Sequence, residues 1–100
     1  MKEFEKLIGM SVDELCGFFN QLGLVADDIY TLYDELGEII YEQELKLNEL
    51  LRYQRYNMDI NTWEWTYRGA EKRYDELETE VDNMKELRLN LEKCADIFSE

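Results

Sequence analysis

The residues of this chain whose types and spacing suit them to chemistry are mostly carboxylates. Glu35 and Glu38 stand three positions apart in a stretch with helical periodicity, so both side chains leave the same helix face. Two carboxylates so placed suit a hard cation such as magnesium. Asp34 and Glu42 extend that acidic face, and a second acidic run follows at Asp75, Glu76, Glu78, Glu80 and Asp82. The chain has no His, which removes the side chain that most often serves as acid, base or metal ligand near neutral pH. Cys16 and Cys94 lack the paired spacing of a zinc site or a redox dithiol. Each falls on an apolar helical face, so they are expected to be small buried hydrophobes in a reduced protein. No catalytic residue, metal or cofactor is expected from this set.

A different chemistry gathers in the middle of the chain. Arg52, Tyr53, Arg55, Tyr56, Trp65 and Arg68 form a short aromatic and basic stretch. Aromatic and Arg side chains bury large areas with few rotors to immobilise, and they dominate many protein interfaces. The net charge of −13, from 24 acidic and 11 basic residues, is unevenly spread. Residues 25–50 and 74–100 are strongly acidic, whereas residues 51–73 are slightly basic through Arg52, Arg55, Arg68, Lys72 and Arg73. Such a balance argues against direct nucleic-acid binding.

The elements that must position these groups read as helices. With no Pro and 5 Gly, the chain lacks the turn residues that an all-β fold requires. Phe4, Leu7 and Ile8 share a face in a first short helix, which Gly9 would stop in a left-handed conformation. Ser11 and Glu14 have the spacing of a capping box, and Val12, Leu15, Cys16, Phe19 and Leu22 then share one stripe of a second helix ending at Gly23. A third helix is expected over residues 25–56, with Asp27 and Asp28 at the positive end of its dipole and Arg52 and Arg55 at the negative end. Residues 57–62 contain poor helix formers and predict a turn, with Asn61 and Glu64 spaced as a further capping box.

The clearest periodicity lies in residues 63–98, read as a fourth helix. Trp63, Ala70, Leu77, Met84, Leu91 and Phe98 recur every seventh position, and Tyr67, Tyr74, Val81, Arg88 and Ala95 follow four residues after each of the first five. That repeat keeps one seam facing a partner helix. The expected fold is therefore all-α, a single domain over residues 1–100. Two short helices in residues 1–23 precede a long antiparallel coiled-coil hairpin, paired into a dimeric bundle because a two-helix rod would leave apolar stripes wet.

Three resemblances bear on function. Asp34-Glu35-Leu36-Gly37-Glu38 resembles the first half of the motif of MazG-type nucleotide pyrophosphohydrolases, all-α enzymes in which Glu-x-x-Glu and a later Glu-x-x-Asp hold magnesium. Here only a reversed pair, Asp75 and Glu78, follows. Tyr67-Arg68-Gly69-Ala70 resembles the turn element of the Trp-x-Gly family of small secreted helical hairpins, with Tyr in place of Trp, and Tyr74 with Glu78 fits that family's export signal. In type, the small acidic chain is similar to phage-encoded inhibitors of defence nucleases, including some anti-CRISPR proteins. This resemblance implies that carboxylates imitate nucleic-acid phosphates in a basic groove of the target.

The expectation is a non-catalytic adaptor or inhibitor that binds another protein, one whose own ligand is nucleic acid under the mimic reading. Two contact surfaces compete. One is the tip of the hairpin at Arg52, Tyr53, Arg55, Tyr56, Trp65 and Arg68. The other is the acidic shaft at Asp34, Glu35, Glu38, Glu42, Asp75, Glu76, Glu78, Glu80 and Asp82. Residues 1–9 carry Glu3 and Glu5 where a signal peptide would be basic and then apolar. No apolar run is long enough for a bilayer. A cytoplasmic setting without membrane contact is expected, in the host if the chain is phage-encoded.

Overall fold

The computed structural model describes residues 2–99. Its elements, in chain order, are α1 (Lys2–Glu5), α2 (Val12–Gln21), α3 (Ala26–Leu50), one 3₁₀ turn (Leu51–Tyr53), β1 (Gln54–Asn57), β2 (Thr62–Trp65) and α4 (Arg68–Phe98). The fold is mostly helical but not all-α: β1 and β2 pair as a small antiparallel sheet where the two long helices turn back. With principal extents of 58 × 22 × 19 Å, the molecule is a rod.

Local signals account for the N-terminal third. Gly9 and Gly23 take positive φ angles of +88° and +73°, the left-handed conformation that costs a glycine nothing. At the start of α2, the Ser11 hydroxyl accepts the Glu14 N–H at 3.2 Å, and the Glu14 carboxylate accepts the Ser11 N–H at 3.4 Å. Both orphan donors of a capping box are thereby satisfied. Asp28 accepts the Val25 N–H at 3.0 Å where α3 begins.

The two long helices run antiparallel, as Tyr30 against Asp96, Tyr33 against Arg88 and Glu44 against Lys85 show. From α4, Ala70, Leu77, Val81, Met84, Leu87, Leu91, Cys94 and Ala95 are buried; from α3, Ile29, Leu36 and Ile40. Phe4, Leu7, Leu15 and Phe19 of the N-terminal segment complete the core. The segment α1–α2 therefore lies over the half of the rod distant from the sheet. It adds a third inward-facing row, Leu87 and Cys94, to the two that the heptad pattern reveals. Leu77, Met84 and Leu91 are 2%, 1% and 0% exposed within one chain, so the chain itself covers the stripe that suggested a second copy.

Arg88, the charged member of the seam, is accommodated by its surroundings. Its guanidinium carbon lies over the Tyr33 ring, 3.9 Å from the centroid, and its Nε donates to the Tyr33 carbonyl at 3.2 Å. Room for it comes from Gly37, where a Cβ would lie 2.6 Å from an Arg88 nitrogen. A cation on an aromatic face keeps favourable electrostatics after losing part of its water.

Several boundaries differ from the sequence reading. The third helix ends at Leu50 and not near 56, and the fourth begins at Arg68 and not at Trp63. Arg52 sits in the 3₁₀ turn and Arg55 on β1, so neither belongs to the last turn of α3. Asn61 caps no helix; it occupies the loop between the strands at φ +53°, a conformation Asn tolerates better than most residues. Trp63 and Tyr67 are 60% and 62% exposed and leave the seam.

The physical reason is β propensity. Thr62, Trp63, Glu64, Trp65, Thr66 and Tyr67 alternate strictly between polar and aromatic residues, a period of two, and β-branched and aromatic side chains fit a pleated ribbon. In this segment that local preference outweighs a seven-residue spacing whose facing helix has already ended.

Candidate functional site

The candidate site is the β-hairpin end of the rod. The strands pair Gln54 with Trp65, Arg55 with Glu64, Tyr56 with Trp63 and Asn57 with Thr62. Alternation puts Tyr56, Trp63 and Trp65 on one face, with Arg55 opposite Glu64 on the other. The Tyr56 and Trp63 rings meet edge to face, with centroids 5.6 Å apart at 68°. A two-stranded hairpin alone is marginal in water, and two contacts fasten this one. Trp65 packs on Tyr74 of α4 at 5.4 Å, and Tyr53 packs on Tyr67 at 6.0 Å. The Tyr53 carbonyl also accepts both the N–H and the hydroxyl of Thr66, at 2.6 and 2.9 Å.

Residues 58–61 close the hairpin. The Asn57 side chain accepts the Asp59 N–H at 2.9 Å, an Asx turn that stands in for backbone hydrogen bonding. The Tyr56 hydroxyl donates to the Asn61 side-chain carbonyl. These bonds hold the loop while Met58 and Ile60 project outward, 84% and 58% exposed. Below the hairpin a cleft of about 280 Å³ lies between α3 and α4. Its walls are Leu50, Tyr53 and Leu77, with the cations Lys46, Arg52 and Arg73 and one carboxylate, Glu49, at its edges.

Of the tip residues expected from sequence, Arg52, Tyr53, Arg55, Tyr56 and Arg68 are exposed at this end. Trp65 is not: it is half-buried against Tyr74 and serves as the hairpin's anchor. The apolar groups most exposed at this end are Met58, Ile60, Trp63 and Tyr67. Sequence reasoning missed them by counting Trp63 and Tyr67 into the seam and the other two into an ordinary turn. The strict alternation from Thr62 to Tyr67 was the signal that could have found them.

The acidic shaft is also solvent-facing. Asp34, Glu35, Glu38, Glu42, Asp75, Glu76, Glu78, Glu80 and Asp82 are all exposed. Among the described residues the ion pair found is Lys85 to Glu44 at 3.8 Å, exposed enough to contribute little. Asp34, Glu38 and Glu42 share an open groove with Tyr41 and Arg88. With Lys85 level with Glu44, the pair Glu35 and Glu38 is separated from Asp75 and Glu78 by roughly 20 Å of helix axis. One chain therefore does not bring the two halves of a MazG-like magnesium site together. No group of three metal-ligating side chains converges among the described residues. In the Tyr67-Arg68-Gly69 segment, the Tyr67 ring folds over Gly69 at the first turn of α4, and a β-hairpin stands where the Trp-x-Gly family has its turn.

Among the described residues, three groups have pKa values displaced from the ordinary ones. The Tyr30 phenol donates to Asp96 at 2.8 Å, and this bond and the neighbouring carboxylates push its pKa up. Tyr74 is raised first by partial burial and then by Glu78 beside it. Burial and the adjoining Cys16 push the Cys94 thiol up to about 12. Cys16 and Cys94 are free thiols whose sulfurs lie 3.4 Å apart, a meeting that positions so distant in the sequence did not suggest. No helix among the described residues is long and apolar enough to cross a membrane. Compared with protein-family models, with curated proteins and with solved structures, the chain finds no match.

Proposed function

We propose that the chain is a non-catalytic protein-interaction module that engages its partner with the β-hairpin tip. The observation that carries this reading is the outward display of Met58, Ile60, Trp63 and Tyr67, each more than half exposed, beside Arg52, Arg55 and Arg68. Trp63 and Tyr67 each pack against a tyrosine of the hairpin end yet stay more than half exposed, and apolar patches rimmed by polar residues commonly mark interaction sites. Arg and aromatic residues are also the types over-represented at interface hot spots. The complementary partner surface is an apolar pocket with an acidic rim. A photo-crosslinking residue at position 58, compared with one at position 86 on the shaft, tests this in extract of the source cells. Adducts specific to position 58 and lost in Trp63→Ala support the tip. Adducts only from position 86 overturn it.

A second reading is favoured by the exposure of the nine shaft carboxylates. It makes the chain an acidic inhibitor, of the anti-defence type found in phages, that occupies the nucleic-acid groove of a basic protein. The two readings separate by salt. A phosphate-mimicking shaft loses affinity steeply as ionic strength rises, whereas an apolar tip contact changes little. Self-association into a two-fold dimer is a separate proposal, resting now on Tyr41 and Leu45, 65% and 46% exposed on α3. Light scattering tests it: a species that stays at 12.1 kDa at every concentration overturns the dimer.

A further inference from the structure

The core of the rod brings together two thiols that the proposed tip contact does not use. Cys16 belongs to α2 and Cys94 to α4, and they are the 2 cysteines of the chain. Their sulfurs are 3.4 Å apart. Cys94 is fully buried, in the same core as Leu15, Phe19 and Leu91, while Cys16 is only partly covered. The Cys94 thiol donates to the Val12 carbonyl of α2 at 3.5 Å, which draws it toward that helix, and the Cys16 sulfur points at it. Bonding at about 2.05 Å requires an approach of roughly 1.4 Å. No third cysteine competes.

We propose that Cys16 and Cys94 form a modification site, closing to an intramolecular disulfide that fastens α2 to α4 when the chain meets a small-molecule disulfide oxidant. Cys16, the reachable sulfur, reacts first. Its thiolate, having lost its proton to solvent, attacks one sulfur of the oxidant; that S–S bond breaks, and one small thiolate leaves and takes up a proton. The Cys94 thiol then attacks the Cys16 sulfur of the mixed disulfide, its proton passing to the departing small thiolate, which leaves as the second small thiol. The two protein thiols are oxidised by two electrons in total, and the oxidant is reduced to two thiols. The raised pKa of Cys94 makes this second step the slow one, because the thiolate is the attacking form. The product links positions 78 residues apart, a long loop whose closure restricts the unfolded chain strongly.

The experiment uses the full chain, folded, at micromolar concentration with oxidised glutathione. Intact mass and a thiol count should show both thiols lost together, with two hydrogens removed and no adduct retained, at a rate independent of protein concentration. Peptide mapping should recover the Cys16 and Cys94 peptides joined. The oxidised form should melt roughly 10 °C or more above the reduced form. In Cys16→Ser the remaining thiol should stay unmodified under the same conditions. A glutathione adduct that persists on Cys16, a covalent dimer through Cys16, or thiols that stay reduced in the folded chain while the urea-unfolded chain reacts would each overturn the proposal. None of these outcomes depends on what the tip binds.

Discussion

The two ends of the rod solve the same problem differently. At the end where α1 and α2 fold back, Phe4, Leu7, Leu15 and Phe19 close over Leu87, Leu91 and Cys94, and every one of these residues is buried. At the other end the chain has as many large apolar groups, but Met58, Ile60, Trp63 and Tyr67 face water. The covered end closes a core row although Leu22, Val25, Leu89 and Ile97 around it stay half exposed or more, whereas the other end holds its exposed groups on a hairpin anchored by Trp65 on Tyr74. Where apolar area is displayed on a rigid frame, in contrast to being buried, it is free for recognition.

Mutations can break that contrast. Leu91→Ala at the covered end should cost about 3–4 kcal/mol in urea unfolding, because a fully buried Leu leaves a cavity its neighbours only partly fill. A loss below about 1 kcal/mol would show that the end is not packed as described. Trp65→Ala should cost less, about 1–2 kcal/mol, and its effect should be local. Amide exchange in residues 54–65 should rise sharply while the helical circular dichroism is kept. Arg88→Ala should remove about 1–2 kcal/mol by taking away the stack on Tyr33 and the bond to its carbonyl. Replacing Met58 and Ile60 together by Ser should change stability by no more than about 0.5 kcal/mol while abolishing partner capture, the sharpest statement of the contrast.

The smallest effects are titrations, and they sharpen the comparison by cause. Tyr30, at the covered end, is raised chiefly by its bond to Asp96, so Asp96→Asn should return its absorbance titration toward the ordinary phenol range. Tyr74, under the hairpin, is raised chiefly by burial, so Trp65→Ala should be the change that lowers it. In both cases the folded pKa lies above the unfolded value. The stabilisation is therefore fully present below the ordinary phenol pKa of about 10 and is lost as pH rises through the higher folded one.

Legibility in the sequence followed the range of the physical cause. The Ser11 and Glu14 cap and the Gly23 stop are decided within a few residues and are readable, whereas α1 ends at Glu5, four residues before the left-handed Gly9 expected to stop it. The seam from Ala70 to Ala95 was readable because a repeat held over several turns has one geometric meaning. The hairpin is hidden because Trp63 and Tyr67 satisfy two periods at once, and the seven-residue one runs on into a segment with no facing helix. The Cys16 and Cys94 pair, and the Arg88 seat made by Gly37, depend on which faces of separate helices meet, and no local pattern encodes that. Within the candidate site the basic and aromatic composition was visible, but which rings face outward was not.

The uneven charge along a 58 Å rod has one more consequence. Slightly cationic at the hairpin and strongly anionic along the rest, the molecule is an electric dipole with its positive pole at the hairpin end. Near an acidic surface it experiences a torque that swings this pole forward, and near a basic surface one that lays it flat along its flank. Within a screening distance of about 8 Å at physiological salt, the sign of the surface it meets therefore selects which part of it arrives first.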